Sequence, residues 1–141
     1  MASGKSNYWI ARLLNLLNGA TGTIASPLYL ALYTVAPTAS TAGTEATTAG
    51  SYASYSITGN TTNWPTITAG TTSISNGVAF TFTTATADWS SASNMVAAAL
   101  KDSGTNGAGN QYYFGALTES KPVLNGDTAS FAIGALSITE A

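Results

Sequence analysis

Six acidic side chains, three lysines and one arginine carry all the formal charge of this chain, which has neither histidine nor cysteine. That inventory removes the commonest general base, the commonest transition-metal ligand and every thiol nucleophile. The acids are Glu45, Asp88, Asp102, Glu119, Asp127 and Glu140. Each falls in or beside a turn, a loop or a terminus, with no second acid at a spacing that suggests a pair. Glycoside hydrolysis needs two carboxylates facing each other across the substrate, so these read as solvated turn acids. Asp127 is expected to cap its own turn through a backbone hydrogen bond. Serine and threonine abound, but a hydroxyl nucleophile needs an adjacent base, and no Ser-x-x-Lys pattern supplies one. Calcium would want a dense acidic loop. Gly104, Gly107 and Gly109 in SGTNGAGN could suggest a nucleotide loop. A dinucleotide fingerprint opens a helix, whereas the strand-like QYYFGALT follows here, so they read as turn glycines. Asn60-Thr61-Thr62 matches a glycosylation sequon by chance. No enzymatic activity, cofactor or metal is expected.

Composition narrows the class further. Charged residues make up 7% and hydrophobic residues 45% of the 141 positions, against about a quarter charged in an ordinary soluble domain. A surface built from Thr, Ser, Asn, Gly and Ala is neutral and low in side-chain entropy. It costs little to bury against another neutral surface, so it reads as the surface of an assembly component; the alternative is a merely neutral soluble protein. The net charge of −2 offers no basic stripe for phosphates, so nucleic acid is not expected as a direct partner. No stretch approaches the ~20 apolar residues of a membrane span. Arg12, Asn15 and Asn18 interrupt any signal-peptide core.

The elements follow from periodicity. Residues 6–18, SNYWIARLLNLLN, repeat apolar side chains at helical spacing with Arg12, Asn15 and Asn18 opposite. Ser6 is the expected N-cap and Gly19 the left-handed C-terminal cap. This amphipathic helix docks on its own core, packs on a partner subunit, or lies on a membrane surface. LYLALYT at 28–34 is apolar on both faces, which places it centrally in a sheet. A loop of small polar residues spans 35–50, and SYASYSIT at 51–58 reads as an edge-like strand. A second long Thr/Gly-rich loop covers 59–77. VAFTFTTA alternates as a half-buried strand. Trp89 closes the end of a core, and NMVAAALKD at 94–102 is a strand. The closing stretch, 111–139, reads as a β-hairpin turning at Asn125-Gly126-Asp127. Its apolar phase shifts from Phe131, Ile133 and Ala135 to Leu136 and Ile138, which predicts a bulge or twist near Gly134. The sum is one mainly-β domain over 1–141. It is a β-sandwich or barrel-like fold of about seven short strands with one N-terminal helix.

SPLYLALYTVAPT, GTEATTAGSYASYSI, VAFTFTTATADW and YYFGALTESKPVLNGDTASFAIGALSIT occur in this order along nearly the whole chain. In that order they resemble a family of small tailed-phage virion proteins. Two segments depart from the family pattern: GNTTNWPTITAGTTSISNG is longer and richer in threonine, and NMVAAALKD lacks the aromatic-glycine character. The resemblance implies a structural protein of the virion with no catalytic residues. Its members are described as capsid decoration or tail-fibre proteins.

The leading expectation is a capsid cement protein on the capsid exterior, a homo-oligomer bridging neighbouring copies of the major capsid protein. The alternative is a tail or fibre component whose partners are tail proteins or a host receptor. A third class is a carbohydrate-binding module stacking sugars on exposed aromatics such as Trp64 or Tyr112. The candidate assembly contacts are Trp9, Leu13 and Leu17 on the helix, Glu45 and Tyr52 at and beyond the first long loop, and Trp64 in the second.

Overall fold

A computed structural model describes residues 4–140. Within them the chain forms ten strands and one α-helix. The central strand is β2 (Leu28–Val35), and its double apolar face has the predicted consequence. Leu30 and Leu32 point into a large core cluster, while Ala31 and Tyr33 point into a smaller one on the opposite face. Along one edge β2 pairs antiparallel with β7 (Met95–Lys101), from Tyr29↔Lys101 to Tyr33↔Ala97. Its other edge is shared by β3 (Thr44–Glu45) and β4 (Tyr55–Ile57). Beyond β7 lies β8 (Gln111–Lys121), and the short β1 (Gly4–Lys5) ends the sheet against Tyr113 and Phe114.

Two small sheets pack on the face that carries Leu30, Leu32 and Leu100. One joins β5 (Ser73–Ser75) to β10 (Ser137–Thr139), the other β6 (Phe80–Thr81) to β9 (Ser130–Phe131). The layers meet over aromatic contacts: Tyr52 on Trp89 at 5.0 Å, Tyr55 on Phe80 at 5.5 Å, and Trp64 on Phe80 at 5.6 Å between ring centroids. Trp89 is fully buried, and its indole N–H donates to the Gly50 carbonyl at 2.8 Å. The expected mainly-β, sandwich-like class with one N-terminal helix is the one found. Two segments read as loops carry strands of their own, β3 within 35–50 and β5 within 59–77.

The closing stretch is not a hairpin. β8 pairs with β7 and β1, whereas the return arm splits into β9 and β10, which pair with β6 and β5. The turn at Asn125-Gly126 is present, Gly126 has φ +89°, and the Leu124 N–H donates to the Asp127 carboxylate at 3.0 Å. The phase shift at Gly134 marks a full turn between strands of different sheets, not a bulge. Gly134 takes φ +77°, and buried Asn76 holds the turn, accepting from the Leu136 N–H and donating to the Ala132 carbonyl, both at 2.9 Å. Turning there lets Phe131 and Ile138 both reach the core from two different sheets.

The helix α1 (Asn7–Asn15) runs on as a 3-10 turn over Leu16–Asn18. Ser6 caps it as expected, accepting from the Trp9 N–H at 3.2 Å, and Gly19 closes it at φ +87°. The Ser6 hydroxyl also donates to the Gln111 carbonyl, so the cap fastens the helix to the start of β8.

Candidate functional site

Two regions hold the residues with unusual environments. The first is a buried ion pair. Lys101 occupies the last position of β7, on the same face as Ala97 and Ala99, and its ammonium lies 2.7 Å from the Glu45 carboxylate. Both side chains are 2% exposed. The ammonium also donates to the carbonyls of Thr105 at 2.9 Å and Ala108 at 3.3 Å, which uses all three of its protons. Glu45 accepts further from the Gly107 N–H at 2.7 Å and the Tyr52 hydroxyl at 3.0 Å. The Asn106 side chain donates to the Ala46 carbonyl at 2.6 Å, tying the same loop to the segment after β3. The glycine loop therefore wraps an ion pair, and the expectation that every acid is a solvated turn group fails at Glu45. Burial, with the Glu45 charge next, drives the Tyr52 phenol far above its ordinary value, and burial pushes Tyr33 up to about 12. Every donor and acceptor around the pair is engaged, so the cluster works as a lock on the loop.

The second region is the surface around α1 and β8. Trp9 turns inward, its ring 4.9 Å from Tyr112 and its N–H donating to the Tyr113 hydroxyl at 2.8 Å. The Tyr113 hydroxyl in turn contacts Glu140, which Lys5 holds at 2.5 Å. Burial and the Glu140 bond raise Tyr113 to about 12. Burial works against the Glu140 charge, but the Lys5 and Tyr113 bonds bring its carboxyl below the ordinary value. Leu13 is half-buried beside Trp9 in sequence spacing, one turn further along the helix. The flank of the helix next to Trp9 and Leu13 is bare. Ile10, Leu14 and Leu17, at i, i+4 and i+7, are 37%, 61% and 87% exposed. Leu16 and Ile24 are exposed as well.

The sandwich also has an open trough. β1 covers only Tyr113 and Phe114, so among the described residues no strand lies along the outer edge of β8 from Gly115 to Lys121. There the two layers stand apart around a cavity of about 520 Å³. Its walls include Ala98, Gly115 and Leu117 of the large sheet, Phe131 and Ile138 of the small ones, and Leu136 in the turn between them. No charged residue lines it. A smaller cavity of about 320 Å³ adjoins at Leu117, Thr118 and Phe131.

Residues 4–139 match a family described as podophage GP4 fiber I protein gp80. The chain belongs to this family. It is accordingly a structural component of a phage virion, as the resemblance in sequence implied. The family description favours the fibre alternative over the capsid-cement reading. No curated protein shows significant similarity to this fibre-family chain. Among its described residues there is no metal-binding cluster of acids and no helix long and apolar enough to cross a membrane.

Of the six candidate contacts, Leu17 is the one most fully presented to solvent. Trp9 and Leu13 belong to the inner side of the helix, and Glu45 and Tyr52 are enclosed in the domain itself. Trp64 is half-buried edge-on against Phe80, and Tyr112 is 2% exposed, so neither is the open stacking platform expected for sugars. Leu14 and the trough were missed. The signal for Leu14 was its i+3 spacing to Leu17; the trough left none, since its walls come from five separate parts of the sequence. Lys101 had a signal too: a lone charge at an inward position of an apolar strand implies a buried partner.

Proposed function

We propose that this protein is a structural subunit of a podophage fibre, acting mechanically rather than catalytically by burying neutral surface against neighbouring fibre or tail proteins. The family match across residues 4–139 carries this reading. It is supported by the aliphatic stripe on α1, since leucines this exposed on a folded domain mark a contact surface. The Thr- and Ser-rich loops give such a subunit an outer surface with few charges to desolvate at each contact.

Gold-labelled antibody on intact particles tests the assignment. Label on the fibres is the expected result. Label confined to the head exterior would return the capsid-cement reading and overturn this one.

A further inference from the structure

The fold leaves two uncharged features without partners: the apolar Ile10, Leu14, Leu17 stripe and the trough beside β8, whose walls are mainly apolar with some hydroxyls. We propose that they are the two halves of one contact, with the stripe of one copy seated in the trough of a second copy. Size agrees. Positions 10 to 17 span about 10 Å along a helix, while β8 from Tyr113 to Thr118, which flanks the trough, runs for about 17 Å. A cavity of about 520 Å³ has room for several aliphatic side chains. It exists because Ala98 and Gly115 stand where larger side chains would fill the gap between layers.

Charge agrees as well. The trough has no charged wall, and the one charge on the helix, Arg12, is held by the Thr23 carbonyl at 2.8 Å and the Tyr8 hydroxyl at 3.3 Å. Arg12 also lies on the far side of the helix from Ile10, Leu14 and Leu17, so bringing stripe and trough together buries no charge. Pairing stripe with stripe would also bury the leucines, but it would leave the trough and the open β8 edge as they are. Joining two different patches is a heterologous contact, and repetition of such a contact closes a ring or extends a filament. That last step rests on the fibre reading; the contact itself does not.

The test uses purified full-length protein in sedimentation velocity, with circular dichroism to confirm folding. One variant carries Leu14→Lys and Leu17→Lys; a second carries Leu117→Lys in the trough wall. Ala135→Lys, at an exposed position on the trough rim, replaces the second should Leu117→Lys not fold. The wild type is expected to associate with concentration, and each variant to weaken association at least about tenfold. Mixing the two is expected to restore a one-to-one pair, because each keeps the half that the other lacks. A wild type that stays monomeric at about 1 mM overturns the proposal. So does a mixture that stays monomeric, or a trough variant that associates like wild type, which is the result of stripe–stripe pairing. Gold labelling on the particle reads the fibre assignment separately, so failure of one leaves the other standing.

Discussion

Lys101 and Leu17 both sit where their side chains are least at home: a charge with a side chain 2% exposed, and an aliphatic residue 87% exposed. Their surroundings answer in opposite ways. Around Lys101 every proton has an acceptor, and the partner carboxylate accepts from Lys101, the Gly107 N–H and the Tyr52 hydroxyl. Leu17 belongs to neither core cluster. A buried charge cannot wait for a partner, because a lone ion in the interior costs several kcal/mol. An exposed leucine can wait, because water tolerates it at a cost of about 1.5–3 kcal/mol that a later contact recovers. The first region is finished when the chain folds; in the contact proposed above, the second is finished when copies meet.

The comparison breaks most directly at the ion pair. Lys101→Met leaves Glu45 buried with its charge uncompensated, and a stability loss of about 3–5 kcal/mol is expected in urea unfolding. The double variant Lys101→Met, Glu45→Leu removes both charges and should regain most of that loss. If the single variant loses under about 1 kcal/mol, comparable to a surface pair, the lock does not exist.

What could be read from residues alone follows the range of the interaction. The Ser6 cap, the Gly19 terminator, the alternation of Phe80 and Phe82, and the turn at Asn125-Gly126 are set by neighbours in sequence, and all are present. The double-faced β2 was legible because burial on both sides demands it. Strand partners were not: residues 122–139 look like the return arm of a hairpin, and only the tertiary fold sends them to β6 and β5. The Lys101–Glu45 pair joins positions 56 residues apart. On the helix, periodicity identified an amphipathic element but not which apolar side chains turn inward, since Trp9 and Leu17 are equally apolar by type. The aromatic pocket made by Tyr112 and Tyr113 decides that.

A smaller effect sharpens the same contrast through pH. Tyr33 and Tyr52 are each 3% exposed, and both hold their phenolic proton above the ordinary value of 10.0. Above pH 10 the unfolded chain sheds protons that the folded chain keeps. Stability is therefore intact below pH 10 and falls as pH rises toward 12, by up to about 1.4 kcal/mol per pH unit for each such tyrosine. Urea midpoints at pH 8, 10 and 11 should decline in that order above 10; a flat series contradicts the burial. Glu140 has the opposite sign, its contribution being present above the ordinary carboxylate value of 4.5 and lost as pH falls through its lowered one. Smaller again is the helix anchor. Ser6→Ala removes the cap and the bond to Gln111, and a loss of about 1 kcal/mol is expected from thermal or urea unfolding.

The smallest effect on folding belongs to the most conspicuous residue. Leu17→Ser removes an aliphatic side chain that is 87% exposed and touches no core cluster, so the unfolding free energy should move by less than about 0.5 kcal/mol. A surface serine even lowers the apolar area left in water, which makes a slight gain in solubility the expected side effect. The same change at a finished site, such as Leu30→Ser in β2 at 1% exposure, would remove a core side chain and bury an unpaired hydroxyl, at a cost of about 2–5 kcal/mol. The pair of variants thus asks whether burial within one chain accounts for each leucine. Should Leu17→Ser destabilise the isolated monomer by more than about 1 kcal/mol, its side chain belongs to the fold. The division between a region completed by folding and one completed by assembly would then fail at its clearest residue.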